Sequence, residues 1–265
     1  MNKYDLEHKL LRGSPLLLGD IPTYKISLGE MADIGFTKLQ NAISILCMDD
    51  DKASELLNGV IENPSTFMLI MVSILQEQNS IKCGQLKASE LDSLLSVTIP
   101  SFLSLFFKKE VTFHQDYGFF IGNQEDEKRL LNDINYDDFR TILKERNCLI
   151  DLNGVDENDN PSNEMAKKLI EKRKKLREKL NKAKRVNGED DGINMADLIS
   201  IFAQAEHMPL QEVYDRYDIY QFNNQFNRLR IMDDFHVNIQ ALLAGAKSED
   251  VKLQHWLSKI EKQDD

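Results

Sequence analysis

From Asp218 to Ala246 the apolar residues follow one another in steps of three or four: Ile219, Phe222, Phe226, Leu229, Met232, Phe235, Ile239, Leu242 and Ala246. Steps of that size gather on one face of an α-helix. Asp218 with Gln221 three residues later has the form of a capping box, and Gly245 stands where a helix would stop. A helix this long runs about 40 Å, more than the width of a small domain. The stretch therefore predicts a spine on which other helices pack, and a mainly α protein.

Charge is distributed unevenly around that spine. The chain has 265 residues and a net charge of −11. Lys167–Arg185 holds eleven Lys or Arg and two Glu, a local +9, so the remainder carries −20 (−11 minus +9). An acidic body is repelled by nucleic acid unless its basic residues are gathered locally, as they are here. Lys172, Arg173, Lys174, Lys175 and Arg177 are the candidate electrostatic contacts. Two readings stay open: a nucleic-acid contact, or a solvated helix that meets an acidic face or an acidic partner. No aromatic residue is interleaved for base stacking, which favours the second.

The chain length suffices for a sizeable core. Cys47, Cys83 and Cys148 are odd in number and widely spaced, which suggests neither a disulfide framework nor zinc and fits a reducing cytoplasm. The first thirteen residues lack the apolar core of a signal peptide. The most apolar run, Phe67–Leu75, is too short for a membrane span, which needs about 20 residues.

In chain order, residues 1–13 admit a short helix or a loosely held arm, and Ser14–Tyr24, with two prolines and Gly19, reads as an extended connector, Pro22–Ile26 being a candidate short strand. Ser27–Glu30 forms a capping box for a helix running to about Met48. Asp49–Asp51 reads as a solvated turn capping the next helix rather than as a cation site, since no partner ligands are suitably spaced. Asn63–Pro64 opens the helix containing Phe67–Gln78. Ala88–Val97 and Pro100–Lys108 read as two helices separated by Pro100. Val111–Ile121 suggests one hairpin, and Asn135 a cap for Tyr136–Arg146. The Asp- and Asn-rich stretch Asp151–Glu164 fails the calcium-loop test, because Pro161 and Lys167 occupy the positions of the required glycine and glutamate. Asn194 caps Met195–Glu206, and Pro209 opens Leu210–Tyr217. This pair has the outline of a helix-turn-helix, but Glu212 and Asp215 stand where phosphates would need basic groups.

The reading that results is a mainly α, multi-helix fold with at most one small β-hairpin and a C-terminal helical unit built on one long helix. Residues 1–150 form an N-terminal helical domain, 151–193 a polar loop and basic excursion, and 194–265 the C-terminal unit. There is no phosphate-binding loop, nucleophile elbow, zinc-protease motif or dinucleotide fingerprint. A non-enzymatic protein with no cofactor is expected.

The C-terminal unit resembles a family. Leu210–Phe222 (LQEVYDRYDIYQF), Gln225–Phe226, Leu243–Lys247 (LAGAK) and the tail with His255–Trp256–Leu257 look like the C-terminal part of the tail assembly chaperones and related helical proteins of tailed phages. The resemblance covers residues 194–260. It implies a protein of the host cytoplasm that binds the phage tape-measure protein, tail-tube subunits or both, without membrane contact, as a monomer or an oligomer. Phe222, Phe226 and Trp256 are the candidate partner-binding residues. The alternative is a nucleic-acid-binding accessory protein using residues 167–185.

Overall fold

The computed structural model describes residues 3–56, 64–83, 94–122, 129–149 and 194–245, together with 255 and 257. The chain divides into two compact units, one combining Met1–Leu149 with Gln211–Asp265, the other formed by Ile150–Leu210.

The first unit opens with α1 (Lys3–Arg12), then β1 (Leu16–Leu18) and β2 (Ile21–Thr23). These strands pair antiparallel, with Leu18 opposite Ile21 across a two-residue loop. Gly19 has φ +57°, the positive value that two-residue hairpin loops require. Leu16 and Leu18 are buried while Leu17 is exposed, the alternation of a half-buried strand. Pro22 is tolerated because it lies opposite Leu17, the pair between the two hydrogen-bonded ones, where no ladder N–H is needed.

Ser27 caps α2 (Leu28–Ile34) through the expected reciprocal box: Glu30 N–H donates to Ser27 Oγ at 3.2 Å, and Ser27 N–H to Glu30 Oε2 at 2.9 Å. Gly35, at φ +107°, ends that helix and starts α3 (Phe36–Leu46), so the expected single helix is two. Then follow α4 (Asp50–Leu56), α5 (Thr66–Lys82, capped by Ser65) and α6 (Leu95–Phe107). The break expected at Pro100 is absent: α6 runs through it. Hydroxyl groups bond back to the preceding turn around the proline, Ser101 Oγ to the Val97 carbonyl and Ser104 Oγ to that of Pro100. The burial of Ile99, Phe102, Leu103, Phe106 and Phe107 supplies the stabilisation that offsets one missing ladder bond.

β3 (Val111–His114) and β4 (Gly118–Ile121) form the expected hairpin, with a three-residue loop. A third strand, β5 (Leu130–Leu131), pairs with β4. A Cβ on Gly118 would lie 2.5 Å from the Leu131 carbonyl oxygen, so only glycine lets β5 approach. α7 (Tyr136–Arg146) occupies the expected residues, but Asn135 bonds Asn132 N–H and the Leu130 carbonyl rather than capping it. Among the described residues the fold is thus mainly helical with two small antiparallel sheets, which corrects the expectation of at most one hairpin.

The core is centred on α6, not on the long helix. Phe106 stands edge-on to Phe139 at 5.6 Å and stacks with Phe102 at 5.9 Å. Phe67 joins through Tyr136 at 5.3 Å, and the Tyr136 hydroxyl donates to the Leu46 carbonyl at 2.8 Å. Asp49 and Asp50 lead into α4 as expected and are part-exposed, but they are also paired. Arg140 forks onto both Asp50 oxygens at 3.1 and 3.2 Å, Thr66 donates to Asp50 through its N–H and hydroxyl, and Lys144 reaches Asp49 at 3.2 Å. Burial alone would raise the Asp50 pKa, but the bonds from Thr66 and Arg140 prevail and hold it below the ordinary value.

In the second unit, α8 (Met195–Ala205) begins with a capping box between Asn194 and Asp197 and buries Ile199 and Phe202. α9 (Leu210–Arg216) begins at this unit's last residue and continues into the first unit, where α10 (Ile219–Leu243) follows.

Candidate functional site

The long helix has two dissimilar ends. Its first turn is fixed by polar bonds. Asp218 accepts from Gln221 N–H at 2.7 Å, closing the capping box expected from the sequence. The Gln221 side chain does three further things: it accepts from Asp218 N–H at 3.3 Å and from Lys25 Nζ at 3.1 Å, and it donates to the Leu11 carbonyl at the end of α1. Lys25 also donates to the Arg216 carbonyl, and Leu28 N–H to that of Tyr217 at 2.8 Å. Gly29 lets this connection close: a Cβ there would lie 3.3 Å from the Tyr214 carbonyl oxygen.

Beneath that turn lie two buried charges, Arg146 and Asp218, each 4 % exposed. Arg146 Nη2 donates to the carbonyls of Ser14 (2.8 Å) and Thr23 (3.2 Å), tying the end of α7 to the β1–β2 hairpin. Its Nε and Nη1 have no hydrogen-bond partner, nor has Asp218 Oδ2. Burial pushes the Asp218 pKa above its ordinary value despite the Gln221 and Tyr220 N–H groups and the Lys25 and Arg146 charges, and it lowers that of Arg146 against the field of Asp218. Nothing in the sequence marks Arg146: an arginine at a helix C-terminus reads as a solvated charge complementing the dipole. Asp218 is legible only as a cap.

Beyond the first turns α10 is held less. Of its 25 residues only Phe222 is buried. The expected spine is therefore a helix anchored at its start, with its N-terminal part against α1 and α7. The reason is composition: Asn, Gln, Arg and Asp fill the positions between the apolar steps, so the stripe is narrow, and Asp233, Asp234 and His236 interrupt its flank. Phe226 stacks on Phe222 at 5.6 Å and is half-buried, as are Leu229, Phe235 and Ile239. Met232, Val237 and Leu243 are 42 %, 56 % and 83 % exposed. Phe235 also meets the ring of His255 at 5.3 Å.

The candidates read from the sequence are thus placed unequally. Phe222 is 1 % exposed and serves the core, so a partner can meet the stripe only beyond it. Phe226 lies at the border of the accessible part. Trp256 falls outside the described residues, as do Lys172, Arg173, Lys174, Lys175 and Arg177. The carboxylate-rich loop 151–164 lies outside them too, and among the described residues no group of three His, Cys, Asp or Glu could hold a metal ion. Among those residues no helix is long and apolar enough to cross a membrane.

Residues 182–261 match the family model of the YomV second domain. That family is phage-derived, of the SPbeta-prophage type. It takes in α8, α9 and α10. No curated protein and no solved structure matches the chain.

Proposed function

We propose that this protein is a non-enzymatic phage assembly factor that binds an apolar helical partner, the tape-measure protein in the first instance, along the C-terminal half of α10. The observation that carries this reading is the accessible stripe itself. A 25-residue helix with one buried residue leaves Phe226, Met232, Phe235, Ile239 and Leu243 wholly or partly accessible along successive turns. A second amphipathic helix reads such a face through anchors at three- and four-residue spacing. Methionine within it suits clients of varied sequence, and the acidic body keeps such a complex soluble. The match to a phage-derived family supports the setting, and the resemblance to tail assembly chaperones supplies the partner.

The test is co-expression with the tape-measure protein of the same genome, followed by size exclusion at low and high salt. Co-elution that survives high salt and is lost on Met232→Glu with Phe235→Glu supports an apolar contact on α10. A tape measure that stays insoluble while this protein elutes alone overturns the reading. Binding to nucleic acid that weakens steeply with salt and disappears on neutralising residues 167–185 would favour the accessory role instead.

A further inference from the structure

Phe235 lies 16 residues past the start of α10 (235 − 219), about 24 Å along its axis. The ring of His255 stands 5.3 Å from its own, at an interplanar angle of 59°. We propose that His255 is an internal competitor for the accessible stripe of α10: it covers Phe235 in the free protein and must leave before a client helix can seat there. The proposal rests on the reading of α10 as the client-binding helix and adds how that site is regulated.

Three observations carry it. The first is the path of the chain. From Phe235, α10 runs on for eight residues to Leu243 (243 − 235), about 12 Å. His255 follows Leu243 by twelve positions (255 − 243) and yet lies beside Phe235, so the chain has come back by about two helical turns. Gly245, at φ +98° directly after the Ala244 cap, is the left-handed residue at which a helix ends and its chain turns aside. The ten positions from Gly245 to His255 (255 − 245) can span about 33 Å, so the return is well within reach. The second is where the contact falls. Phe235 stands between Met232 and Ile239 at three- and four-residue spacing, so it is one of the anchors a client helix would read. A client seated through those anchors needs the space that the His255 ring holds. The third is how His255 is held. It is exposed, and its Nδ1 accepts from Leu257 N–H at 3.1 Å, a bond within its own stretch of chain. Leu257 is itself 68 % exposed. The imidazole is thus oriented locally without being buried, unlike Phe222 at the anchored end of α10. An aromatic pair of this kind is worth about two- to tenfold in an equilibrium constant. That biases the site, yet an apolar helix with several anchors can displace it.

Proton NMR of the full chain reads the contact without any client. The ring resonances of His255, identified by their loss in His255→Gln, should move towards those of a free histidine in Phe235→Leu, while those of His8, His114 and His207 stay in place. Unmoved His255 resonances would overturn the proposal. The competition is read by co-expressing the native chain and His255→Ala together with the tape-measure protein of the same genome, and measuring their proportions in the co-eluting complex by mass spectrometry. The variant should be favoured by about two- to tenfold. Equal proportions, or a preference for the native chain, would show that His255 does not compete. If neither chain co-elutes, the client reading fails and the competition with it, while the ring contact stands or falls on the resonances alone.

Discussion

α6 and α10 are both apolar helices, and they do opposite things. α6 spans 13 residues and buries six of them, while α10 spans 25 and buries one. The difference is how the apolar residues are packed along the chain. In α6 they cover most of the circumference, so no orientation exposes it cheaply and the helix becomes the centre of a core. In α10 they form a thin stripe between polar flanks, which permits a helix supported mainly at one end. Length and periodicity identify a helix; the width of the apolar face decides how deeply it sits.

The comparison can be broken most sharply on the α6 side. Phe106→Ala removes the ring that joins α6 to α7, and should cost about 3–5 kcal/mol in urea unfolding. The sheet packed beside α6 is nearly as unforgiving. Gly118→Ala, with its Cβ driven against the Leu131 carbonyl at φ +106°, should cost about 2–3 kcal/mol by the same measurement. On the anchored end of α10, Asp218→Ala removes the cap and should cost about 1–2 kcal/mol; a loss near zero would mean that the first turn of α10 does not depend on it.

Acid titration sharpens the contrast further. Asp50 has a depressed pKa, so its contribution is present above the unfolded-state value and is lost as pH falls through the folded one. Asp218 has a raised pKa, so its contribution is fullest below the unfolded-state value and is lost as pH rises through the folded one. Asp50→Asn and Asp218→Asn should therefore change the slope of stability against pH in opposite directions across the acidic range. Equal changes would sink the assignment. The smallest effect belongs to the C-terminal half of α10. Met232→Glu should alter stability by less than about 0.5 kcal/mol while abolishing co-elution with the tape measure.

Much of the fold is legible from local chemistry. The caps at Ser27, Asn194 and Asp218 set helix starts that depend on three or four consecutive residues, and the structure keeps all three. What escapes is set by distant partners. Leu130–Leu131 is a strand only because β4 lies beside it. Pro100 is tolerated only because the surrounding side chains are so well buried. Gly19–Asp20 is itself a recognisable hairpin loop, but the neighbouring prolines disguise the strands. The site divides in the same manner. The stripe on α10 can be read from periodicity, whereas Arg146 and Asp218 lie 72 positions apart in the sequence (218 − 146) and become a pair only in the folded chain.

The bond from Gln221 to the Leu11 carbonyl spans 210 positions. On a ribosome adding about 5–20 residues per second, the two groups emerge about 10–40 s apart. During that interval α1 and the residues around Lys25 lack their last contacts, and the end of α7 with its buried arginine awaits a partner yet to be made. One segment is completed by another made 210 positions later, so the vulnerable period between them is set by translation speed. Slower synthesis would lengthen its exposure to proteases and to neighbouring nascent chains.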